Sequence, residues 1–179
     1  MELTFNNFSV GDLIIFTKTF DENDFNKFSE LSGDNNPLHH SKKYAATSGH
    51  DNTIVPLHLI IAPLSRIAGM NFPGVPSLYL NHTVRAVNQL KYGETITYSA
   101  KVTSLNVNKR ILNLTVLGLR KADIIFDAEV QTHALHEKWE QDIDLRVIKN
   151  SEQKRVLITG SSGEIASSVA NVFQKNGWS

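Results

Sequence analysis

Alternation of apolar and polar residues in the second half of this 179-residue chain constrains its fold more than any other feature. A period of two places every second side chain on the same face, which is typical of β-strands with one buried face. The apolar members of three such runs are Ile96, Tyr98, Ala100 and Val102, then Leu112, Leu114 and Val116, and then Ile124, Phe126, Ala128 and Val130. From Ser77 onward we predict four antiparallel strands of about ten residues each, joined as a meander by short connections at residues 92–94 and 106–109.

The segment at residues 58–71 predicts the element that covers the apolar face of this sheet. Its apolar residues leave little polar surface on a helix, which indicates a helix buried nearly all round. Pro63 lies inside the segment and has no N–H to donate, so the helix either begins late or bends there. We therefore predict an α+β fold in which a curved antiparallel sheet wraps around one central helix.

Composition excludes several classes of function. Lys plus Arg and Asp plus Glu both number 18, so the net charge is zero with neutral histidines, whereas nucleic-acid binders carry a basic surplus. The chain has no cysteine, which excludes disulfides, thiolate zinc sites and cysteine nucleophiles. Its most apolar stretch, residues 57–64, is interrupted by His58 and is too short for a membrane span. Its first residues lack the pattern of an export signal. We expect a cytoplasmic protein that binds neither nucleic acid nor a membrane.

One amphipathic helix is predicted in the first third of the chain, between a short strand at residues 12–19 and a short helical piece at residues 42–48. Thr19 and Glu22 have the spacing of a capping box, which marks a helix start. The apolar stripe of the helix is formed by Phe25, Phe28 and Leu31. We expect Gly33 to end the helix, because glycine is common just past the last helical residue.

Two ionisable side chains, Asp34 and His39, follow this helix closely. The residues between them, Asn-Asn-Pro-Leu, favour a turn that can bring the carboxylate and the imidazole together. Such a pair can hold one water and act as acid and base, a contribution of about 10² to 10⁴ in rate. On spacing alone, the simpler interpretation is a helix cap and an Asx-rich turn with His39 on the surface.

The longer segment around these two residues resembles the hydratase motif of the MaoC-like dehydratases, the (R)-specific enoyl-CoA hydratases of the hotdog fold. From Phe28 to Ala45 the chain matches the pattern F-x-x-L-S-G-D-x-N-P-L-H, then five residues and Ala, at every defined position. The resemblance implies a hotdog hydratase domain over residues 1–143. It also implies that Asp34 and His39 activate the water that adds to the β-carbon of a trans-2-enoyl thioester, and that Asn36 helps to fix their geometry.

The chain departs from this family at the start of the central helix. The family has a glycine there, whose backbone amide stabilises the negative charge that develops on the thioester oxygen. This chain has Leu57, which keeps the N–H but adds a side chain that can hinder close approach. Ser41 also stands where the family often has an acidic residue. Leu57 and Pro63 leave open a catalytically impaired acyl-thioester binding module. A hotdog thioesterase is a further alternative, which the motif from Asp34 to His39 disfavours.

The same resemblance implies the partners of the protein. The substrate is an acyl thioester of coenzyme A or of acyl carrier protein, and the reaction needs no metal and no redox cofactor. In the family, the substrate tunnel is built where the sheets of two subunits join, so we expect a homodimer.

The end of the chain carries a separate pattern, which follows a polar linker at residues 144–154. Residues 155–179 resemble the first strand, turn and helix of a short-chain dehydrogenase/reductase. The fingerprint T-G-x-x-x-G-x-G aligns with Thr159 and Gly160, Gly163 lies in the same turn, and Glu164 and Ala166 replace the second and third glycines. No ribose contact or catalytic tyrosine follows, so we predict no stable NAD(P) binding. We hypothesise that the chain is the first part of a hydratase–reductase fusion.

Overall fold

A five-stranded antiparallel sheet is the largest part of the computed structural model, which describes residues 2–136 and 138–140. Its strands are Leu13–Thr19 (β2), Ser77–Ala86 (β3), Thr95–Asn106 (β4), Ile111–Arg120 (β5) and Asp123–Ala134 (β6). They lie in the order β2-β4-β5-β6-β3. A separate two-stranded sheet pairs Glu2–Thr4 (β1) with Lys138–Glu140 (β7).

The helices are short, and all those in the described part of the chain lie within residues 5–71. The α-helices are Glu22–Ser32 (α1), Lys42–Thr47 (α2), Leu57–Ile61 (α3) and Pro63–Arg66 (α4). Single turns of 3₁₀-helix cover Phe5–Asn7 and Pro37–His39, and a π-helical turn covers Ile67–Asn71. Together α3, α4 and the π-helical turn occupy the segment predicted as the central helix.

Pro63 divides the central helix, as its sequence position predicts. It is the first residue of α4, where a missing N–H is tolerated. Pro63 cannot donate to the carbonyl of Leu59, and that carbonyl instead accepts the Ala62 N–H at 3.3 Å. The hydroxyl of the fully buried Tyr98 on β4 donates to the Ile60 carbonyl at 2.5 Å. The sheet therefore supports the divided helix with a hydrogen bond as well as with apolar contact.

The core lies between the central helix and one face of the sheet. One cluster joins apolar side chains of the helix to those of the strands, and its members include Leu59, Ile60, Leu64, Ile67, Ile96, Tyr98, Leu112, Val116 and Phe126. Burial of about 25 cal/mol per Å² of apolar surface is the main force that holds such layers together. The predicted α+β architecture, with a sheet around one central helix, is confirmed.

The predicted meander of four strands is only partly right. Strands β4, β5 and β6 are consecutive neighbours, but β3 pairs with β6 at the far edge of the sheet rather than with β4. The connection from β3 to β4 passes β6, where the N–H groups of Val87 and Asn88 donate to the Ile125 carbonyl at 2.9 and 3.1 Å. Alternation identifies the buried face of a strand but not its neighbour, because both arrangements bury the same residues.

Ile124 does not face the core, in contrast to the prediction. It is 37% exposed, whereas Ile125 is fully buried. The register of β5 and β6 shifts between Gly118 and Leu119, because Phe126 pairs with Gly118 and Ile124 with Leu119. Ile125 is therefore an extra residue in β6, and such a β-bulge reverses the alternation on one side of it.

The predicted start and stripe of α1 are also corrected. Asp21 caps the helix by accepting the Asp24 N–H at 2.8 Å, because Thr19 still belongs to β2 and its hydroxyl bonds that of Thr95 at 2.7 Å. Phe25 is buried and Phe28 packs against the core, but Leu31 is 89% exposed. Six residues after Phe25, Leu31 lies about 240° around the helix and so on another face.

The predicted linker at residues 144–154 and the predicted reductase-like segment at residues 155–179, including Thr159, Gly160 and Gly163, lie outside the described residues. Within the described part of the chain, every helix is too short to cross a lipid bilayer.

Candidate active site

The end of α1 determines where the turn that carries Asp34 begins. Gly33 follows the last helical residue in the left-handed conformation, with φ of 76°, and its N–H donates to the Ser29 carbonyl at 2.8 Å. A residue with a side chain would be strained in this conformation, and glycine is not. The predicted end of the helix at Gly33 is confirmed, and the reversal there directs the chain into the turn that carries Asp34.

The turn from Asp34 to His39 is held by its own polar groups. The Asp34 Oδ1 accepts the Asn36 N–H at 3.0 Å, and the Asn36 Oδ1 accepts the Leu38 N–H at 3.1 Å. The His39 N–H in turn donates to the Asn36 carbonyl at 3.0 Å. Asn36 therefore caps the 3₁₀ turn that carries His39, and its amide oxygen is used inside the protein to shape that turn.

The structure brings Asp34 and His39 together. The Asp34 Oδ2 and the His39 Nε2 are 4.0 Å apart, and the two side chains are 37% and 12% exposed. This separation is too long for a direct hydrogen bond. A water about 2.8 Å from both atoms would meet them at an angle of about 90°, which a water molecule accepts without strain. The geometry thus suits one bridging water, with the carboxylate more exposed than the imidazole.

A hydrogen bond on the other side of the ring determines the tautomer of His39. The His39 Nδ1 lies 2.8 Å from the Ile54 carbonyl oxygen. A carbonyl can only accept, so the Nδ1 carries the proton and the Nε2 of the neutral ring presents a lone pair toward Asp34. Ile54 is itself anchored, because its N–H donates to the Leu38 carbonyl at 3.4 Å and it forms a β-bridge with Lys91. The imidazole is therefore oriented as a proton acceptor.

Aromatic rings surround the inner side of this turn. The Phe25 ring lies 6.0 Å from the His39 ring and 5.6 Å from the His40 ring, and it meets Tyr92 edge to face at 6.5 Å. Burial raises the pKa of Tyr92, and the carboxylates of Glu22 and Asp34 raise this pKa further. Phe25, Ile54 and Tyr92 belong to different parts of the chain. A motif confined to residues 28–45 therefore could not identify the contact of Ile54 with His39 or that of Tyr92 with Phe25.

A groove of about 530 Å³ opens beside the turn. Its lining includes Ser29 from α1 together with Gly33, Asn35 and His40. Gly33 and Asn35 flank Asp34 in the chain, but neither Asp34 nor His39 belongs to the lining of this groove.

The structure shows the local roles of Leu57 and Ser41, the two residues that depart from the family pattern. Leu57 is the first residue of α3, and its partly buried side chain packs against the core. An N–H at the first position of a helix has no acceptor within that helix. Ser41 is the cap of α2, because its hydroxyl accepts the Tyr44 N–H at 3.3 Å. An aspartate could make the same capping bond, so the serine preserves the local structure.

Comparisons with known proteins show the family to which the chain belongs. Residues 15–121 match the family described as the FAS1-like, dehydratase domain region. The chain is 32% identical over 106 residues to an (R)-specific enoyl-CoA hydratase of Aeromonas caviae, covering 59% of this chain and 79% of that protein. It is 26% identical over 125 residues to an (R)-specific enoyl-CoA hydratase of Rhodospirillum rubrum, covering 70% and 87%.

Among solved structures, the (R)-hydratase from Aeromonas caviae involved in PHA biosynthesis superposes with a TM-score of 0.68 at 28% identity, covering 70% of this chain and 96% of that one. The hotdog fold implied by the sequence resemblance is thereby confirmed. Because the family match extends over more than half of the 179 residues, this chain belongs to the FAS1-like dehydratase-region family.

Proposed function

We propose that this protein hydrates trans-2-enoyl thioesters to (R)-3-hydroxyacyl thioesters, and catalyses the reverse dehydration, with a water held between Asp34 and His39. The observation that carries the proposal is the pairing of a carboxylate oxygen with an imidazole lone pair across 4.0 Å, while the other ring nitrogen is occupied by the Ile54 carbonyl. The names of the Aeromonas caviae and Rhodospirillum rubrum relatives support the reaction and its stereochemistry.

The reaction follows from the positions of the lone pairs. The bridging water donates one hydrogen to the His39 Nε2 and the other to the Asp34 carboxylate, which leaves an oxygen lone pair free to attack. As that oxygen adds to C3 of the enoyl group, His39 accepts a proton, and the C2=C3 π electrons move toward the thioester carbonyl. A proton returned by the Asp34–His39 pair to C2 completes the addition, and the site regains its starting protonation.

The negative charge that develops on the thioester oxygen needs a donor, and we assign this role to the Leu57 amide. As the first residue of α3, Leu57 has an N–H without an intrahelical acceptor. Loss of one such donor costs about 2.7 to 4 kcal/mol in the enzyme where this has been tested. Leu57 follows Ile54 by three residues, so the segment that orients His39 also carries this amide.

The thioester carrier and the assembly state complete the proposal. Coenzyme A or acyl carrier protein would deliver the acyl group, and the Asp34–His39 pair uses neither a metal nor a redox cofactor.

We propose a homodimer that joins along β3, an edge strand of the sheet. Leu78 and Leu80 on this strand are 48% and 43% exposed, and apolar side chains on an open edge favour pairing with another strand.

An assay with crotonyl-CoA tests the proposed reaction. Hydration removes the conjugated double bond, so absorbance at the enoyl band falls while the thioester remains intact. We expect this loss of absorbance without release of free thiol, and a product of R configuration by chiral chromatography. Release of coenzyme A thiol would instead indicate a thioesterase. Saturable binding of crotonyl-CoA without turnover would indicate an acyl-thioester binding module.

A further inference from the structure

A series of hydrogen bonds leads from the sheet to the carbonyl that orients His39. It begins at Glu94, the residue just before β4, whose side chain is 32% exposed. The Glu94 Oε2 accepts the Lys91 N–H at 2.8 Å, and the Glu94 N–H donates to the Lys91 carbonyl at 3.2 Å. The side chain and the backbone of Glu94 therefore close the same four-residue turn, residues 91–94.

Arg120, at the end of β5, holds the Glu94 carboxylate in place. Its Nη1 lies 3.2 and 3.0 Å from the two oxygens of Glu94 and 3.3 Å from the Gln89 carbonyl oxygen. The Nη2 of the same guanidinium donates to Asp123 at 3.1 Å. The Arg120 side chain is 27% exposed, and salt screens a partly buried pair less than an exposed one. The planar guanidinium can thus hold a carboxylate and a backbone carbonyl together.

The residues that Glu94 and Arg120 hold are paired with the segment that orients the imidazole. Leu90 is fully buried, and its carbonyl accepts the Val55 N–H at 2.8 Å. Lys91 forms the antiparallel β-bridge to Ile54. The carbonyl that lies 2.8 Å from the His39 Nδ1 is that of Ile54. It therefore belongs to a short pairing of residues 54–55 with residues 90–91.

The Lys91 side chain forms an ion pair of a different kind. Its Nζ lies 2.6 Å from the Asp51 Oδ2, and the Asp51 side chain is 76% exposed. A single ion pair this exposed contributes little to stability. Glu94, in contrast, binds the backbone N–H of Lys91, next to the β-bridge. Asp51 therefore supplies a matched control on the same bridged residue.

We propose that Glu94 is a positioning residue, which fixes the Ile54 carbonyl behind His39 and thereby keeps the proton of the neutral imidazole on Nδ1. It does so by accepting the Lys91 N–H, which holds the pairing of residues 90–91 with residues 54–55. The inference rests on the proposed hydratase function, which it deepens by adding a residue remote in sequence. Without this support the carbonyl moves away from the ring and the proton also occupies Nε2. A protonated Nε2 of the neutral ring cannot accept a proton from the bridging water.

Nitrogen-15 NMR of the His39 ring tests the inference without turnover, because the shift of each ring nitrogen shows whether it carries a proton. Spectra are recorded at about pH 9, where histidine is neutral, and the signals are assigned by their loss in His39→Gln. In the wild-type protein and in Asp51→Asn we expect the proton on Nδ1. In Glu94→Ala the two shifts should approach each other, as the proton divides between the nitrogens. Glu94→Gln should lie between, since its amide oxygen can still accept the Lys91 N–H.

Kinetics on crotonyl-CoA give a second readout. For Glu94→Ala we expect kcat to fall about tenfold, as for the loss of one hydrogen bond to a charged group. KM should change by less than about twofold, because the lost interaction acts on proton transfer and not on substrate binding. Asp51→Asn should keep the wild-type kcat and KM.

If Glu94→Ala does not fold, Arg120→Lys takes its place. A lysine ammonium cannot hold the Glu94 carboxylate and the Gln89 carbonyl as a guanidinium does, so the nitrogen shifts should move in the same direction by a smaller amount. Wild-type nitrogen shifts in the variant that folds would overturn the inference, and a lower urea midpoint alone would then show a role in stability only. This result differs from a failure of the proposed function, which would be a wild-type protein that does not hydrate crotonyl-CoA.

Discussion

At the residue scale, the two ring nitrogens of His39 have different roles in the candidate site. The Nδ1 of His39 is committed to the Ile54 carbonyl at 2.8 Å. This bond orients the ring and leaves the Nε2 as the acceptor that faces Asp34. The His39 ring is fixed by its hydrogen bond to the Ile54 carbonyl. Asp34 is held through one carboxylate oxygen, which accepts the Asn36 N–H at 3.0 Å. The proposed chemistry needs both the fixed ring and the available second carboxylate oxygen.

Gly33 provides a prediction at this scale. Gly33→Ala places a side chain at φ of 76°, although the added methyl group would meet no atom within 4 Å. The cost is therefore backbone strain of about 1 to 2 kcal/mol, and Asp34, the next residue, should be displaced. We expect a lower urea midpoint and a reduced kcat/KM on crotonyl-CoA.

Gly69→Ala is the matched control for Gly33→Ala. Gly69 lies in the π-helical turn without a positive φ, and its added methyl group also meets no atom within 4 Å. Alanine restricts the unfolded chain more than glycine does, so this variant should be neutral or stabilised by about 0.4 to 1 kcal/mol. If both variants shift the urea midpoint in the same direction, the backbone conformation of Gly33 is not what the turn requires.

At the element scale, the features that depend on one stretch of sequence were predicted better than the contacts between residues far apart in the chain. Asp34 and His39 could be singled out from the sequence because both lie in one continuous segment, residues 28–45, which resembles the hydratase motif of the MaoC-like dehydratases. The contacts of His39 with Phe25 and Ile54, and the place of Tyr92 beside Phe25, depend on tertiary packing. No local pattern could show that Ile54 meets the His39 ring or that Tyr92 meets the Phe25 ring.

The β-bulge in β6 illustrates the same limit at the level of a strand. A methyl group on Gly118 would lie 2.2 Å from an atom of the Phe126 ring, so this ring can cross β5 only at a glycine. An isolated glycine inside an apolar strand is a recognised sign of a bulge or of close approach. Gly118 is thus the sequence feature that indicates the bulge, and with it the exposed position of Ile124. The sequence does not show which partner strand approaches it.

At the scale of the whole molecule, the exposed edge of β3 predicts the assembly state. Leu80 is 43% exposed on that edge, and Val107, in the connection between β4 and β5, is 56% exposed. If two β3 edges pair, a charge at Leu80 would be buried in the interface at a large free-energy cost. We expect Leu80→Lys to sediment as a monomer and Val107→Lys to sediment as the dimer that the wild-type protein forms. A monomeric wild-type protein, or a dimeric Leu80→Lys, would contradict the proposed interface.

The most direct test of the whole account is the kcat/KM for crotonyl-CoA of Asp34→Asn, His39→Gln and the double variant. Asp127→Asn serves as the control, because Asp127 pairs with Arg85 on the outer part of the sheet at 2.6 Å and should retain wild-type activity. If the two side chains hold one water, each single substitution should lower kcat/KM by about 10² to 10⁴. The kcat/KM of the double variant should then be no lower than that of the less active single variant. Losses that multiply in the double variant, or an Asp34→Asn protein as active as wild type, would contradict a shared water.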